Sequence, residues 1–218
     1  CDRDSPVAWS VLAHELGHAI DNSSNESHKV SQQFISARGL EAFSPTITAW
    51  AKELYADLVA AHTLGPASIL ALCGLEYVVF PQTPVHFDPL AQNRTHPSTR
   101  WRLHIVFELV ANHEIRKLYS KDLDLYQGAW DLSVQRFSQS ATHVNQIRKA
   151  DATILNDLLL PLAAELNHSI SNIPQVQPTV ESLARCTRRL KDGLPISAQG
   201  IPRPVLRDRI ARYCSLRA

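Results

Sequence analysis

His14, Glu15 and His18 lie in the stretch Ala-His-Glu-Leu-Gly-His from Ala13 to His18, an HExxH pattern. On a helix this spacing stacks the two imidazoles one turn apart on one face, since positions i and i+4 are surface neighbours. Two imidazoles so placed can share a tetrahedral zinc ion, and the glutamate between them can take a proton from a water at the open position. The helix that this chemistry needs is marked in the chain. Ser5-Pro6 reads as an N-cap followed by proline at the first helical position, and Val7, Val11, Leu12, Ala19 and Ile20 recur at helical spacing. A pattern this short also arises by chance, so further ligands are needed.

A zinc ion held by two histidines requires a third protein ligand. Thr46 to Leu64 is a second strongly helical run, and it carries Glu53 and Asp57 at i and i+4. Glu53 is the candidate ligand. Asp57, one turn along the same face, is placed to accept the free N–H of a ligating histidine and so fix its tautomer. Ala51 and Ala56 on this run, and Gly17 inside the first motif, are small enough to let the two helices come together around one ion. The competing reading is that Glu53 and Asp57 are solvated charges on an amphipathic helix.

Taken in order, His14-Glu15-x-x-His18, then Glu53-x-x-Ala56-Asp57, then His96-Pro97-Ser98 followed by Arg102 resembles the zinc metallopeptidase family that includes the CAAX prenyl protease and the heat-shock protease HtpX. The resemblance covers Ser5 to Leu109. It implies a gluzincin site in a zincin-like helical core: His14, His18 and Glu53 as zinc ligands, Glu15 as general base, and Asp57 beside a ligand. It further implies that His96 faces the substrate and Arg102 braces the site. Members of that family usually carry an edge strand before the HExxH helix, whereas this chain opens shortly before His14, and the interval from His18 to Glu53 is compact. A second helical group, the ImmA/IrrE-like regulatory metallopeptidases, shares an HELGH-type helix and a downstream glutamate helix. The His96-Pro97-Ser98 to Arg102 element favours the first group. A catalytically silent relative, using zinc only to hold an interaction module together, is a further alternative, which the presence of Glu15 disfavours.

The whole chain fits such a core. Its 218 residues are 44% hydrophobic and 20% charged with a formal net charge of +1, which suits a globular protein and excludes a disordered tail. The longest apolar stretch, Gly65 to Phe80, is short and interrupted by Glu76, so no transmembrane span is expected. The expectation is a soluble and cytoplasmic protein. Because the chain begins at Cys1 and contains no methionine, it reads as a fragment, a processed product or one piece of a larger polypeptide, whose other segments are then candidate partners beside a protein or peptide substrate. Cys1, Cys73, Cys186 and Cys214 show no CxxC spacing, which argues against a cysteine zinc site or a redox motif, and Cys186 and Cys214 are able to pair only in an oxidising compartment.

The elements that must position these residues are nearly all helical. Asn22 to Lys29 reads as a polar loop, Val30 to Leu40 as a short helix, and Ser44-Pro45 as the start of the Glu53 helix. Gly65-Pro66 breaks that helix before Ala67 to Cys73 resumes, Leu75 to Phe80 is the one strand-like run, and Pro81 to Thr95 a proline-rich loop. Pro97 starts a helix to about Asn112, which sets His96 at its N-terminus. Leu123 to Ser138, Val144 to Leu166, Val180 to Lys191 and Pro204 to Leu216 read as amphipathic helices, with Asp151 to Asn167 apolar enough for a central core position. The expected fold is therefore mainly α: a metallopeptidase core over 1–118 with at most a small β element, and a helical C-terminal region over 119–218 packed on it. The tail from Arg185 onward is basic, but a solvated helix face accounts for that more simply than a nucleic-acid partner does.

Overall fold

The computed structural model describes residues 6–72, 96–137 and 140–171, together with Glu181. These residues are helical almost throughout, and no strand occurs among them. The strand-like run Leu75–Phe80, the loop that follows it, the two terminal helices, the basic tail and all four cysteines lie outside the described residues. The chain divides into two compact units, Cys1–Gln177 and Pro178–Ala218, and the helices below belong to the first.

Helix α1 spans Pro6–Ser24 and carries the HExxH motif; α2 spans Glu26–Arg38; α3 spans Ser44–Leu64 and carries Glu53 and Asp57. After a further helical turn over 67–72, α4 runs Thr99–Leu109, α5 His113–Leu118, α6 Ser120–Phe137 and α7 Ala141–Thr153. A π-helical segment, Ile154–Leu159, joins α7 to α8, Leu160–Ser169.

Two departures from the sequence expectation have local causes. The polar stretch after the motif is not a loop, because α2 begins at Glu26 and only Asn25 separates it from α1. Asn25 takes left-handed angles (φ 57°, ψ 29°), which asparagine tolerates better than most residues. The buried Asp21 then reaches across the junction, its Oδ1 accepting from the Ser27 amide at 2.8 Å and its Oδ2 from the Ser27 hydroxyl at 2.5 Å. Asp21 and Ser27 thus secure a helix start, while Asn22, Ser23, Asn25, His28 and Lys29 stay exposed. The second departure is the π segment. Pro161 has no N–H, so the Asp157 carbonyl lacks its ordinary helical donor. Arg38, at the end of α2, supplies one instead: its Nη1 donates to that carbonyl at 2.9 Å.

The core forms where α3 meets its neighbours. Ile47, Leu54 and Leu58 of α3, Phe34 of α2, Leu103, Ile105 and Phe107 of α4, and Leu159 and Leu162 of the last helical run are all essentially inaccessible to solvent. The rings of Trp50 and Trp101 meet edge to face at 5.6 Å and tie α3 to α4. A smaller cluster of Trp130, Val134 and Ile147, with Val144 beside it, joins α6 to α7.

Helix α1 packs closely against α3 at Gly17. A Cβ placed on Gly17 would stand 2.6 Å from the Cα and 2.9 Å from the carbonyl oxygen of Ala56. Both obstacles are helix backbone, which cannot rotate aside as a side chain would. Alanine favours a helix over glycine by about 1 kcal/mol, yet Gly17→Ala must push α1 away from α3, an overpacking that costs about 1–3 kcal/mol or more. Gly17→Ala should therefore lower the melting temperature by about 5 °C or more, as read by thermal unfolding. A melting temperature at or above wild type would mean that the two helices do not need this contact.

Candidate metal centre

The site is built from two helix faces laid against each other. On α1 the order is His14, Gly17, His18; on α3 it is Glu53, Ala56, Asp57. In each helix a small residue sits between polar ones, so the Gly17–Ala56 contact brings the flanking side chains to a common point. His14 Nε2 is 3.1 Å from His18 Nε2, and the Glu53 carboxylate lies 3.5 Å from each of these nitrogens. One donor atom from each of the three residues falls within 4.8 Å of the others, and this trio is the group among the described residues suited to hold a metal ion. Donors bound about 2.0–2.1 Å from one tetrahedral ion stand roughly 3.3–3.4 Å apart. The two ring nitrogens stand 3.1 Å apart, and the carboxylate presents a different oxygen to each, Oε2 at 3.5 Å to His14 Nε2 and Oε1 at 3.5 Å to His18 Nε2, so the three groups face one point at about that scale. Two imidazole nitrogens and one carboxylate are also a donor set that zinc accepts.

Behind the trio is a buried charge relay. Asp57 is fully buried, and its Oδ1 lies 3.0 Å from His14 Nδ1, with the ring tilted off the ideal hydrogen-bond line. Arg102 of α4, also buried, grips Asp57 from the other side, its Nε donating to Oδ2 and its Nη2 to Oδ1, both at 2.7 Å. The Nδ1 edge of His14 faces Asp57 and its Nε2 faces His18 and Glu53, so a ring that gives up its Nε2 proton and keeps the one on Nδ1 is the tautomer a metal needs.

Electrostatics follow from this geometry. Burial alone would push the Asp57 pKa up, but the Arg102 charge and its two hydrogen bonds, with His14 adding to them, pull it down to about 2. Burial alone would lower the His14 pKa; Asp57 and Glu53 outweigh it and raise the value to about 9. The Glu53 carboxyl is likewise held below the usual range, burial being outweighed by the hydrogen bond from His14 and the positive charges of His96 and Arg102. A divalent ion therefore competes with a proton for His14.

The other expected residues fall around this centre. Glu15 is exposed on α1, about 60° round the helix from His18 by the helical repeat. His96 is exposed and its Nε2 stands 3.4 Å from Glu53 Oε1, at the rim of the trio. It precedes α4 by a short extended stretch, because Ser98 and not Pro97 caps the helix, its hydroxyl accepting from the Trp101 amide. The structure thus brings His14, His18, Glu53, Asp57, Arg102 and His96 together. His62, farther along α3, turns instead to Asn167 of α8, with its Nε2 2.6 Å from Asn167 Oδ1.

Sequence reasoning missed one participant. Asp151 of α7 is buried, and it holds the first turn of α4, accepting from Trp101 Nε1 at 2.8 Å and from Arg100 Nη2. An acidic residue at the head of an otherwise apolar core helix was the available signal.

Removing one partner of a buried ion pair leaves the other charge desolvated, at about 3–5 kcal/mol. Asp57→Ala should therefore destabilise the fold by about that much in chemical unfolding, because Arg102 loses its acceptor, and should weaken binding of a divalent metal ion at the trio by about 10- to 100-fold. A change under about 1 kcal/mol would mean that the pair is better hydrated than its burial implies. Among known proteins, no family model, curated protein or solved structure matches the chain.

Proposed function

We propose that the chain is a zinc-dependent metalloendopeptidase with His14, His18 and Glu53 as its metal ligands. The observation that carries this reading is the convergence of two imidazoles and a carboxylate, with donor atoms within 4.8 Å of one another, and a non-ligand glutamate, Glu15, on the same helix as the histidines. A purely structural zinc site is closed by four protein ligands and has no use for Glu15; a catalytic one keeps three and leaves a position open. The HtpX-type gluzincin reading gains support from Arg102 on Asp57 and His96 beside Glu53, which belong to the element that distinguishes it from the ImmA/IrrE-like alternative.

When bound, zinc supplies Lewis-acid polarisation of the scissile carbonyl and lowers the pKa of water towards about 7. The protein residues do the rest. Glu15, exposed on the same helix as the two histidines, accepts a proton from the water that adds to the peptide carbonyl, and delivers it to the amine as the C–N bond breaks. Asp57 keeps His14 oriented and supports the positive charge its ring gathers, while Arg102 holds Asp57 ionised. His96, at the rim, donates to the carbonyl oxygen as it gains negative charge.

Four variants separate these roles. Wild type purified with zinc available should contain one zinc per chain by elemental analysis, and His14→Ala or Glu53→Ala should lose most of it; zinc-free wild type would sink the assignment. Glu15→Gln should retain zinc and fold yet lose cleavage of an unstructured peptide library, whereas near-wild-type cleavage by that variant would put the chemistry elsewhere. His96→Ala should keep zinc affinity and lower kcat by about 100- to 1000-fold with KM moving much less. Release of zinc by His96→Ala would instead make His96 a ligand.

A further inference from the structure

The first turn of α4 faces two ways at once. Arg102 turns to α3 and grips Asp57, while the two residues before it, Arg100 and Trp101, turn to α7. There both oxygens of one buried carboxylate are taken: Asp151 Oδ1 accepts from the Trp101 indole at 2.8 Å, and Oδ2 pairs with the Arg100 guanidinium. Neither anchor is loose. Trp101 is fully buried, and Arg100 is held by two further contacts, its Nη1 donating to Gln127 Oε1 at 2.9 Å and its guanidinium carbon lying 4.4 Å above the centre of the Trp130 ring. Two adjacent helical residues bound to the two oxygens of one carboxylate fix both the rotation and the axial position of a helix turn, since either movement breaks at least one bond.

We infer that Asp151 is a positioning residue for the metal centre: it sets the start of α4 so that Arg102 meets Asp57 and His96 meets Glu53. The inference rests on the metalloendopeptidase reading for the role of His96, and only on the metal site for the role of Arg102. It assigns a function to the C-terminal helices, which lie far from the motifs in sequence. Loosening the turn would let Arg102 drift from Asp57, leaving the His14 ring less firmly oriented, and would displace His96 from the rim. The first change lowers metal affinity and the second lowers turnover.

The test uses Asp151→Asn, which keeps the size of the side chain and an acceptor for Trp101 but removes the charge that binds Arg100. Trp101→Phe is the second variant, since it removes the indole donor, together with part of a buried ring that packs on Trp50, and serves if the first fails to fold. Val134→Ala is the control: it loosens the same α6–α7 packing without touching Asp151. At a temperature where all remain folded, zinc affinity is measured by chelator competition, and kcat and KM on a cleaved peptide. Asp151→Asn should bind zinc about 3- to 10-fold more weakly, below the 10- to 100-fold of a direct ligand partner, and lose about 10-fold in kcat with little change in KM. Val134→Ala should match wild type in both. Wild-type zinc affinity and kcat in Asp151→Asn, or in Trp101→Phe should the first not fold, would overturn the inference and leave the metallopeptidase reading standing. Equal losses in Val134→Ala would reduce Asp151 to general stability and overturn it as well. A wild type that binds no zinc would overturn both readings.

Discussion

Asp57 is a carboxylate with no solvent at all, and the centre depends on its staying ionised. An isolated charge in that position would take up a proton, since desolvation opposes the anion strongly. Arg102 prevents this with a two-point grip whose planar geometry matches the carboxylate, and His14 lies against the remaining edge. The consequence spreads to three helices. Because the pair is satisfied only when α3 and α4 are in register and α1 presents His14 to both, a single buried anion selects one arrangement among the many that apolar packing would tolerate. Specificity of this kind is a use to which buried ion pairs are put even when they contribute little net stability.

The contact of Gly17 with Ala56 acts at the same place by a different means. Imidazole and carboxylate side chains have fixed reach, so His14, His18 and Glu53 converge only if the helix backbones are close. Any side chain at position 17 would widen the gap. The glycine lies in the middle of α1, where it costs helix propensity, and the close approach that it permits is what offsets that cost.

Farther out, the fold repairs its irregularities with side chains from distant segments. Arg38 completes the carbonyl that Pro161 leaves without a donor, Asp21 caps α2 across Asn25, and Asp151 secures the start of α4. Each repair links segments remote in sequence. The helices after α4 are therefore more than a passive covering for the motif helices: through Asp151 and through the His62–Asn167 pair they hold both α4 and α3.

What the chain determined by itself is local. The HExxH helix, the glutamate–aspartate helix, the mainly α character and the small residues needed for close packing are all written in spacings of three and four, and helical periodicity makes such spacings into faces. Glu53, Asp57, Arg102 and His96 could be proposed from the motifs in which they stand, and the structure gathers them with His14 and His18. Tertiary structure alone decided the rest. That Asp57 serves His14, that Arg102 approaches Asp57 with two nitrogens, and that Asp151 governs the start of α4 depend on distances between helices, which no periodicity encodes. The polar run after the motif misleads for the same reason. Read along the chain, Asn22 to Lys29 has the composition of a loop; folded, it is helix on both sides of Asn25, and Ser27 is held by an acceptor, Asp21, that can be recognised only once the backbone turns back on it.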